Sequence, residues 1–209
     1  MNWSDRAMGL YAKYVLPKLI DVACGQKPMA ELRAEYVPRA EGNVLEIGIG
    51  SGHNLSHYRD ANTVTGLDPA SELTTMASRR AAAIDAEVSI LQASGEDIPA
   101  DSGQFDSIVC TWTLCSIPDV SQALQEMRRV LKPGGRFYFI EHGLAPEPRV
   151  VRWQRAIEPV WKIIGGGCHL TRQPARLLED AGFDLAEKRT GYIPGPKWAG
   201  FLTHGVAVR

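Results

Sequence analysis

The stretch NVLEIGIGSGHNL, Asn43 to Leu55, runs a short apolar segment into three glycines set one residue apart, Gly48, Gly50 and Gly52. An apolar run closed by glycines reads as a buried strand ending in a tight loop. Glycine leaves the main chain bare and open to positive φ, so a ligand can approach the backbone closely. In a doubly wound sheet, ligands sit beyond the carboxyl ends of the strands, at the switch point. The loop is therefore the expected ligand cradle. The plainer alternative is a strand-to-helix turn with no ligand.

Outward from this loop the chain alternates between two periods. GHNLSHYRD (52–60) reads as a helix start, and NTVTGLD (62–68) as a second strand. SELTTMASRRAAAI (71–84) reads as a helix with Ser71 as its N-terminal cap. AEVSILQA (86–93) and FDSIVCTWTL (105–114) are the third and fourth strands. DVSQALQEMRRVLK (119–132) is an amphipathic helix stopped by Pro133-Gly134-Gly135, and RFYFIEH (136–142) is the fifth strand. A helix over Val150–Ile164, the glycine run Gly165–Gly167 and a last helix in QPARLLEDAGF (173–183) follow. The strands DLAEKRT (184–190) and LTHGVAV (202–208) close the chain.

Strands alternating with helices imply a mostly parallel sheet covered on both faces. The expected fold is α/β: a single αβα sandwich with a seven-stranded, mostly parallel, Rossmann-like sheet and an antiparallel C-terminal edge hairpin. Residues 1–40 read as an N-terminal helical cap, with Leu10, Tyr14, Leu16 and Leu19 as a broken apolar stripe. Residues 41–209 form the main α/β domain, with an insertion at about 145–172 after the fifth strand.

The 209 residues carry 44% hydrophobic and 22% charged side chains and a formal net charge of −1. That is soluble-globular composition, without the basic excess of a nucleic-acid binder. Cys24, Cys110, Cys115 and Cys168 form no CxxC pair and share no ligand spacing with the histidines, so reduced thiols are expected and no metal site. In GLYAKYVLPKLIDVAC (9–24), Lys13, Pro17, Lys18 and Asp21 break up the apolar run. It reads as an amphipathic helix and not as an export signal or transmembrane anchor. A cytoplasmic location follows, with weak contact to a membrane surface allowed and the oligomeric state left open.

Three ligand classes compete for the glycine loop. No Gly-Lys-Ser/Thr follows it, which argues against a P-loop. The dinucleotide fingerprint GxGxxG is one residue longer than the GIGSG found here. Asp68 ends the second strand where it could grip two ribose hydroxyls, or it could be a turn residue before Pro69. Loop and acid alone do not separate NAD from another adenosine ligand.

LEIGIGSG, GLDP, ASGEDIP, FDSIVCTWTL and RRVLKPGGRFYF, in that order across about residues 43–142, resemble the class I methyltransferases that use S-adenosylmethionine. The resemblance implies that Gly48, Gly50 and Gly52 border the methionine and ribose portions. It places Glu46 at the methionine amino group, Asp68 on the ribose hydroxyls, Gly95 and Glu96 at the adenine edge, and Thr111 near the methionine end. Ser94 stands where many relatives carry an acid beside the adenine, and Glu96 is the expected substitute.

CTWTLCSIPD, FYFIEHG and WQRAIEPVWKIIGGGCHLTR look more narrowly like the methyltransferase-like proteins whose animal members methylate alkyl thiols. Those animal proteins carry an N-terminal hydrophobic anchor that this sequence lacks, and His169 stands where they typically have Asn. The resemblance implies a small-molecule acceptor, a thiol first, with phenols, quinones or amines as alternatives. An NAD-linked oxidoreductase and a non-catalytic adenosyl-ligand module are the rivals from other classes.

Trp153 and Trp161, eight apart on one helix, are candidate walls of an apolar acceptor cavity, or simple packing against the sheet. His142, at the end of the fifth strand, is the expected general base; its plainer role is to hold Glu141 or a backbone group. His169 and Arg172 are secondary candidates, and Arg172 could instead close a salt bridge over the loop. Covalent catalysis by Cys115 or Cys168 is discounted, because direct transfer needs no enzyme nucleophile.

Overall fold

The computed structural model describes residues 9–84 and 87–209. The first eight residues of the expected cap, and Ala86 at the head of the third expected strand, lie outside them. Seven strands form one sheet in the order β3-β2-β1-β4-β5-β7-β6. They are β1 Gly42–Ile47, β2 Ala61–Leu67, β3 Glu87–Leu91, β4 Phe105–Thr111, β5 Leu131–His142, β6 Asp184–Tyr192 and β7 Phe201–Val208. The pairs among β1 to β5 are parallel, and β7 runs antiparallel between β5 and β6. The expected sheet, with its antiparallel edge hairpin, is the observed one.

Period-two alternation divides the core into two layers. Leu45, Ile47, Ile108, Cys110, Phe137 and Phe139 face helices α4 (Val120–Val130) and α6 (Pro174–Asp180). Val44, Val64, Val109, Tyr138 and Ile140 face α2 (Lys27–Tyr36) and α3 (Ser71–Ala81). α4 shows why its sequence is helical. Val120, Ala123, Leu124, Met127 and Val130 are all buried along one stripe. The Asp119 side chain caps the first turn by accepting from Gln122 N at 3.0 Å.

Three local expectations are corrected. GHNLSHYRD makes only a 3-10 turn, Leu55–His57, and the chain leaves it extended at Tyr58. Its Asn54 and Tyr58 side chains turn inward onto Glu46 instead of continuing a surface helix. Ser71 does not cap α3: the cap position is Ala70, and the Ser71 hydroxyl bonds Glu72. The freed Ala70 N–H goes to Asp68 Oδ1 at 2.9 Å. The N-terminal stripe is helical, through a π-helical turn Tyr11–Val15 and α1 (Leu16–Cys24), yet Leu10, Tyr14 and Leu19 are exposed. A stripe stays on the surface when no neighbouring element covers it.

Helix α5 (Pro148–Ile164) leaves β5 and is followed by a loop that returns beneath it; α7 (Lys197–Gly200) packs against it before β7.

Candidate active site

The switch in strand order falls between β1 and β4, and the glycine loop leaves β1 at that point. Gly48 N and Ile49 N both donate to Leu67 O, at 2.7 and 3.1 Å, which pins the loop to the end of β2. Gly48 has φ +66 and a side chain there would collide with Thr113, so only glycine fits. A side chain at Gly50, at φ +56, would meet only Gly48 O at an ordinary 3.8 Å. Asp68 is 7% exposed and accepts from Gly50 N at 3.0 Å as well as from Ala70 N. Burial raises its pKa, while the two backbone donors oppose that shift.

Glu46 sits fully buried on the α2 side of β1. Its carboxylate accepts from Asn54 Nδ2 at 3.0 Å and Tyr58 OH at 2.7 Å, and desolvation raises its pKa to about 7. Asn54 Nδ2 also donates to Thr111 Oγ1 at 3.1 Å, and Asn54 Oδ1 accepts from Arg33 Nε at 2.8 Å. Sequence reasoning missed Arg33, Asn54 and Tyr58. A polar pair at i, i+4 within GHNLSHYRD was the available signal for the last two. Arg33 lies in a motif-free helix and left none. The cap is tied to the same loop from its other side: Asp21 Oδ1 receives Arg80 Nη2 and His53 Nε2, both at 2.9 Å.

On the β3–β4 side, Ser94 Oγ donates to Glu96 Oε2 at 2.8 Å, and Glu96 Oε1 accepts from Asp119 N at 2.6 Å. The Glu96 carboxylate therefore bridges this loop to the start of α4. Gly95 is buried in ordinary contact distance of Ile47, Ile117 and Met127.

The loop after β4 forms the third wall. Trp112 has φ +52, the one non-glycine residue with positive φ among those described. Such a conformation costs on the order of 1–3 kcal/mol and marks a place the surroundings over-determine. Glu141 supplies that determination: its Oε1 accepts from Thr113 N at 2.9 Å and Leu114 N at 3.0 Å. Arg172 completes the clamp from the other side, donating to the carbonyls of Leu114 and Pro118. Its guanidinium is thus engaged by carbonyl oxygens, not by the salt bridge that was the simpler expectation.

His142 and Glu141 point to opposite faces of β5, so His142 does not hold Glu141. The Nδ1 of His142 is buried and has no hydrogen-bond partner among the described residues, and desolvation lowers its pKa to about 4. His169 is oriented by Cys115 O, which lies 2.8 Å from its backbone N and 3.1 Å from Nδ1. A carbonyl can only accept, so Nδ1 carries a hydrogen, and Nε2 is the accepting nitrogen of the neutral ring. Gln154, 1% exposed, ties this segment to the end of β5 through Gly143 O, Leu170 O and Ala145 N.

The paired tryptophans separate. Eight residues advance a helix by about 80° beyond two full turns; Trp153 is 64% exposed, whereas Trp161 packs edge-on to Trp198 beside Cys115, Cys168 and Leu170. Trp153 therefore lines only an open surface hollow, with Arg149, Arg152 and Ala156, and not an enclosed acceptor cavity. Burial holds the Cys110 thiol well above its ordinary pKa, and the hydrogen bond with Cys168, then burial, does the same for Cys115, which makes both poor nucleophiles.

A bare loop bounded by buried Glu46 and Asp68, with Arg33 behind them, suits a ligand carrying ribose hydroxyls and an α-amino acid. The residues present fit S-adenosylmethionine. The family model for a methyltransferase domain matches residues 45–139. Thiol S-methyltransferase TMT1B of Rattus norvegicus is 39% identical over 76% of this chain and 66% of its own length. The chain thus spans about two thirds of the relative it matches. Among solved structures, a geranyl diphosphate methyltransferase in complex with SAM superposes with TM-score 0.67 at 16% identity, over 87% of this chain and 84% of that one. The [4+2]-cyclase SpnF superposes with TM-score 0.71 at 18% identity, over 99% and 96%. These two share the fold, and the second shows that the fold alone does not name a reaction. Motif order, site chemistry and sequence identity agree: the chain belongs to the class I methyltransferases that use S-adenosylmethionine.

Proposed function

We propose that the protein transfers a methyl group from S-adenosylmethionine to a small molecule, with a thiol as the accepting group. The observation that carries this reading is the buried set Glu46, Asn54, Arg33 and Asp68 around an uncovered glycine loop. Beside the loop after β4, Cys115 O engages His169 Nδ1 and leaves Nε2 uncommitted. Similarity to the rat thiol S-methyltransferase supports sulfur as the acceptor.

When bound, the cofactor supplies an activated methyl group and its own leaving group. The chain's work is alignment, exclusion of water and removal of the acceptor's proton. Gly48, Gly50 and Gly52 border the methionine and ribose, Glu46 receives the amino group, and Asp68 receives the ribose hydroxyls. Ser94, Gly95 and Glu96 frame the adenine, and Thr111 lies at the methionine end. Arg172 holds the β4 loop in place. Burial makes His142 a poor base. Lifting a proton from a thiol with pKa near 8.5 onto a group at about 4 is uphill by about 6 kcal/mol. His169 Nε2 takes the proton in this reading.

Residues 1–40 act as the cap over the site, 41–209 as the catalytic domain, and about 145–172 as the acceptor-side insertion. The setting is cytoplasmic, and no nucleic-acid partner is involved. No described helix is long and apolar enough to cross a membrane. Weak contact with a membrane surface is supported by two adjoining helical faces. Of the exposed large hydrophobic residues described, most lie between Leu10 and Val22 or on α5, at Trp153, Val160, Ile163 and Ile164. Tyr11 OH reaches Ile164 O at 2.6 Å to join the two faces.

The test is incubation with methyl-labelled S-adenosylmethionine and a panel of alkyl thiols, phenols, hydroxyquinones and amines. Label on the thiols is the expected result. Label on oxygen or nitrogen alone would reassign the acceptor. No transfer, with S-adenosylhomocysteine still bound, would make the protein a binding module.

A further inference from the structure

The buried charged residues among those described are Arg33, Glu46, Asp68 and Glu141: three acids and one cation. Arg33 is 4% exposed, and a guanidinium taken from water is strongly disfavoured unless an anion and full hydrogen bonding compensate. Its bonded partners are neutral. Nε donates to Asn54 Oδ1 at 2.8 Å and Nη1 to Cys24 O at 2.6 Å, and Nη2 has no hydrogen-bond partner among the described residues. Its face lies 4.7 Å from the centroid of the Trp112 ring, which holds the plane in one orientation. Desolvation lowers its pKa, yet an arginine stays charged in a protein. This charge is therefore held in a fixed pose without a directly bonded counter-ion.

The nearest acid sits across one amide. Asn54 accepts from Arg33 with its oxygen and donates to Glu46 with its nitrogen. Arginine, amide and carboxylate thus form a short polar row beside the glycine loop, with a positive and a negative end. An α-amino acid zwitterion presents the opposite charges, also a short distance apart. Its ammonium complements Glu46 and its carboxylate complements Arg33, whose fork suits a carboxylate.

Resting on the cofactor reading above, we propose that Arg33 is the counter-ion of the α-carboxylate in the methionine portion of S-adenosylmethionine, and that Trp112 is the plate that fixes its pose. Arg33 is a binding and positioning residue, not a catalytic one. The cap helix α2 then joins the site through this ion contact, the Asn54 bridge and the stack of Arg33 on Trp112. The amino-acid end of the cofactor, more than its adenosine end, would hold the cap closed.

Two ligands separate this role from a purely structural one. S-adenosylhomocysteine carries the amino-acid portion and 5′-methylthioadenosine lacks it. Calorimetry on the purified full chain should give an Arg33→Gln variant with S-adenosylhomocysteine affinity reduced about ten- to a hundred-fold, the usual scale for a hydrogen-bonded charge. Its affinity for 5′-methylthioadenosine should stay within about twofold of the parent. Arg33→Lys keeps the charge but loses the fork, so it should give a smaller loss with the same selectivity, and it serves if the Gln variant does not fold. Equal losses for both ligands would make Arg33 a structural tie and overturn the proposal, as would unchanged S-adenosylhomocysteine binding. If the unsubstituted protein binds neither ligand, the cofactor reading itself fails, and the proposal with it.

Discussion

Glu141 offers a perturbation whose size follows from the coordinates. It is fully buried and holds the Thr113 and Leu114 N–H groups that keep Trp112 in its positive-φ conformation. Glu141→Ala leaves both donors buried without an acceptor, at about 1–3 kcal/mol each, so unfolding should become easier by roughly 2–6 kcal/mol. Glu141→Gln keeps an oxygen for both donors and should lose far less. The two also differ in pH response. Burial raises the Glu141 pKa from 4.5 to about 7. A group raised on folding stabilises while protonated, so its contribution is full below about 4.5 and is lost as the pH climbs through 7. The ceiling for a shift of that size is about 3 kcal/mol. Glu46, raised in the same direction, is common to both proteins and cancels in their difference. Urea unfolding followed by tryptophan fluorescence at pH 5 and pH 8 should show Glu141→Gln gaining on the parent by about 1–3 kcal/mol at the higher pH. Parallel pH profiles would refute the buried-acid argument. An Ala variant within about 0.5 kcal/mol of the parent would refute the role of Glu141 as anchor of the loop.

Two further outcomes follow from the site and its surface. With a thiol acceptor, His169→Ala should reduce turnover by about 10²-fold, with the loss shrinking as pH rises and solvent supplies the thiolate, whereas His142→Gln should change it little; the opposite ranking would restore His142 as the base. Co-sedimentation with vesicles of phosphatidylcholine containing phosphatidylglycerol should capture the protein, and Leu19→Ser with Val22→Ser should weaken that capture several-fold; equal sedimentation of both would leave the exposed apolar face without a membrane role.

What could be read before any coordinates were those features whose causes lie close together in the chain. Strand and helix periods and the spacing of Gly48, Gly50 and Gly52 act over a few residues, so they led to the seven-stranded sheet and to the position of the loop, whereas Pro133-Gly134-Gly135, read as the helix breaker, lies inside β5 because the helix already ends at Val130. Asp68 was placed correctly at the end of β2 for the same reason, since a strand end is a local event. The burial of side chains was not local, and there the tertiary structure decided. GHNLSHYRD gave up its helix because Asn54 and Tyr58 meet Glu46 from another element. Trp153 and Trp161 parted because the covering surface reaches only one side of α5. Arg33 sits 13 residues before Glu46 in an unmarked helix, and only the packing of α2 on the sheet turns it into a buried cation beside the loop. Hydrophobic pattern specifies which face of an element is buried. It does not say what lies opposite that face, and the charges of this site come from opposite sides of such contacts.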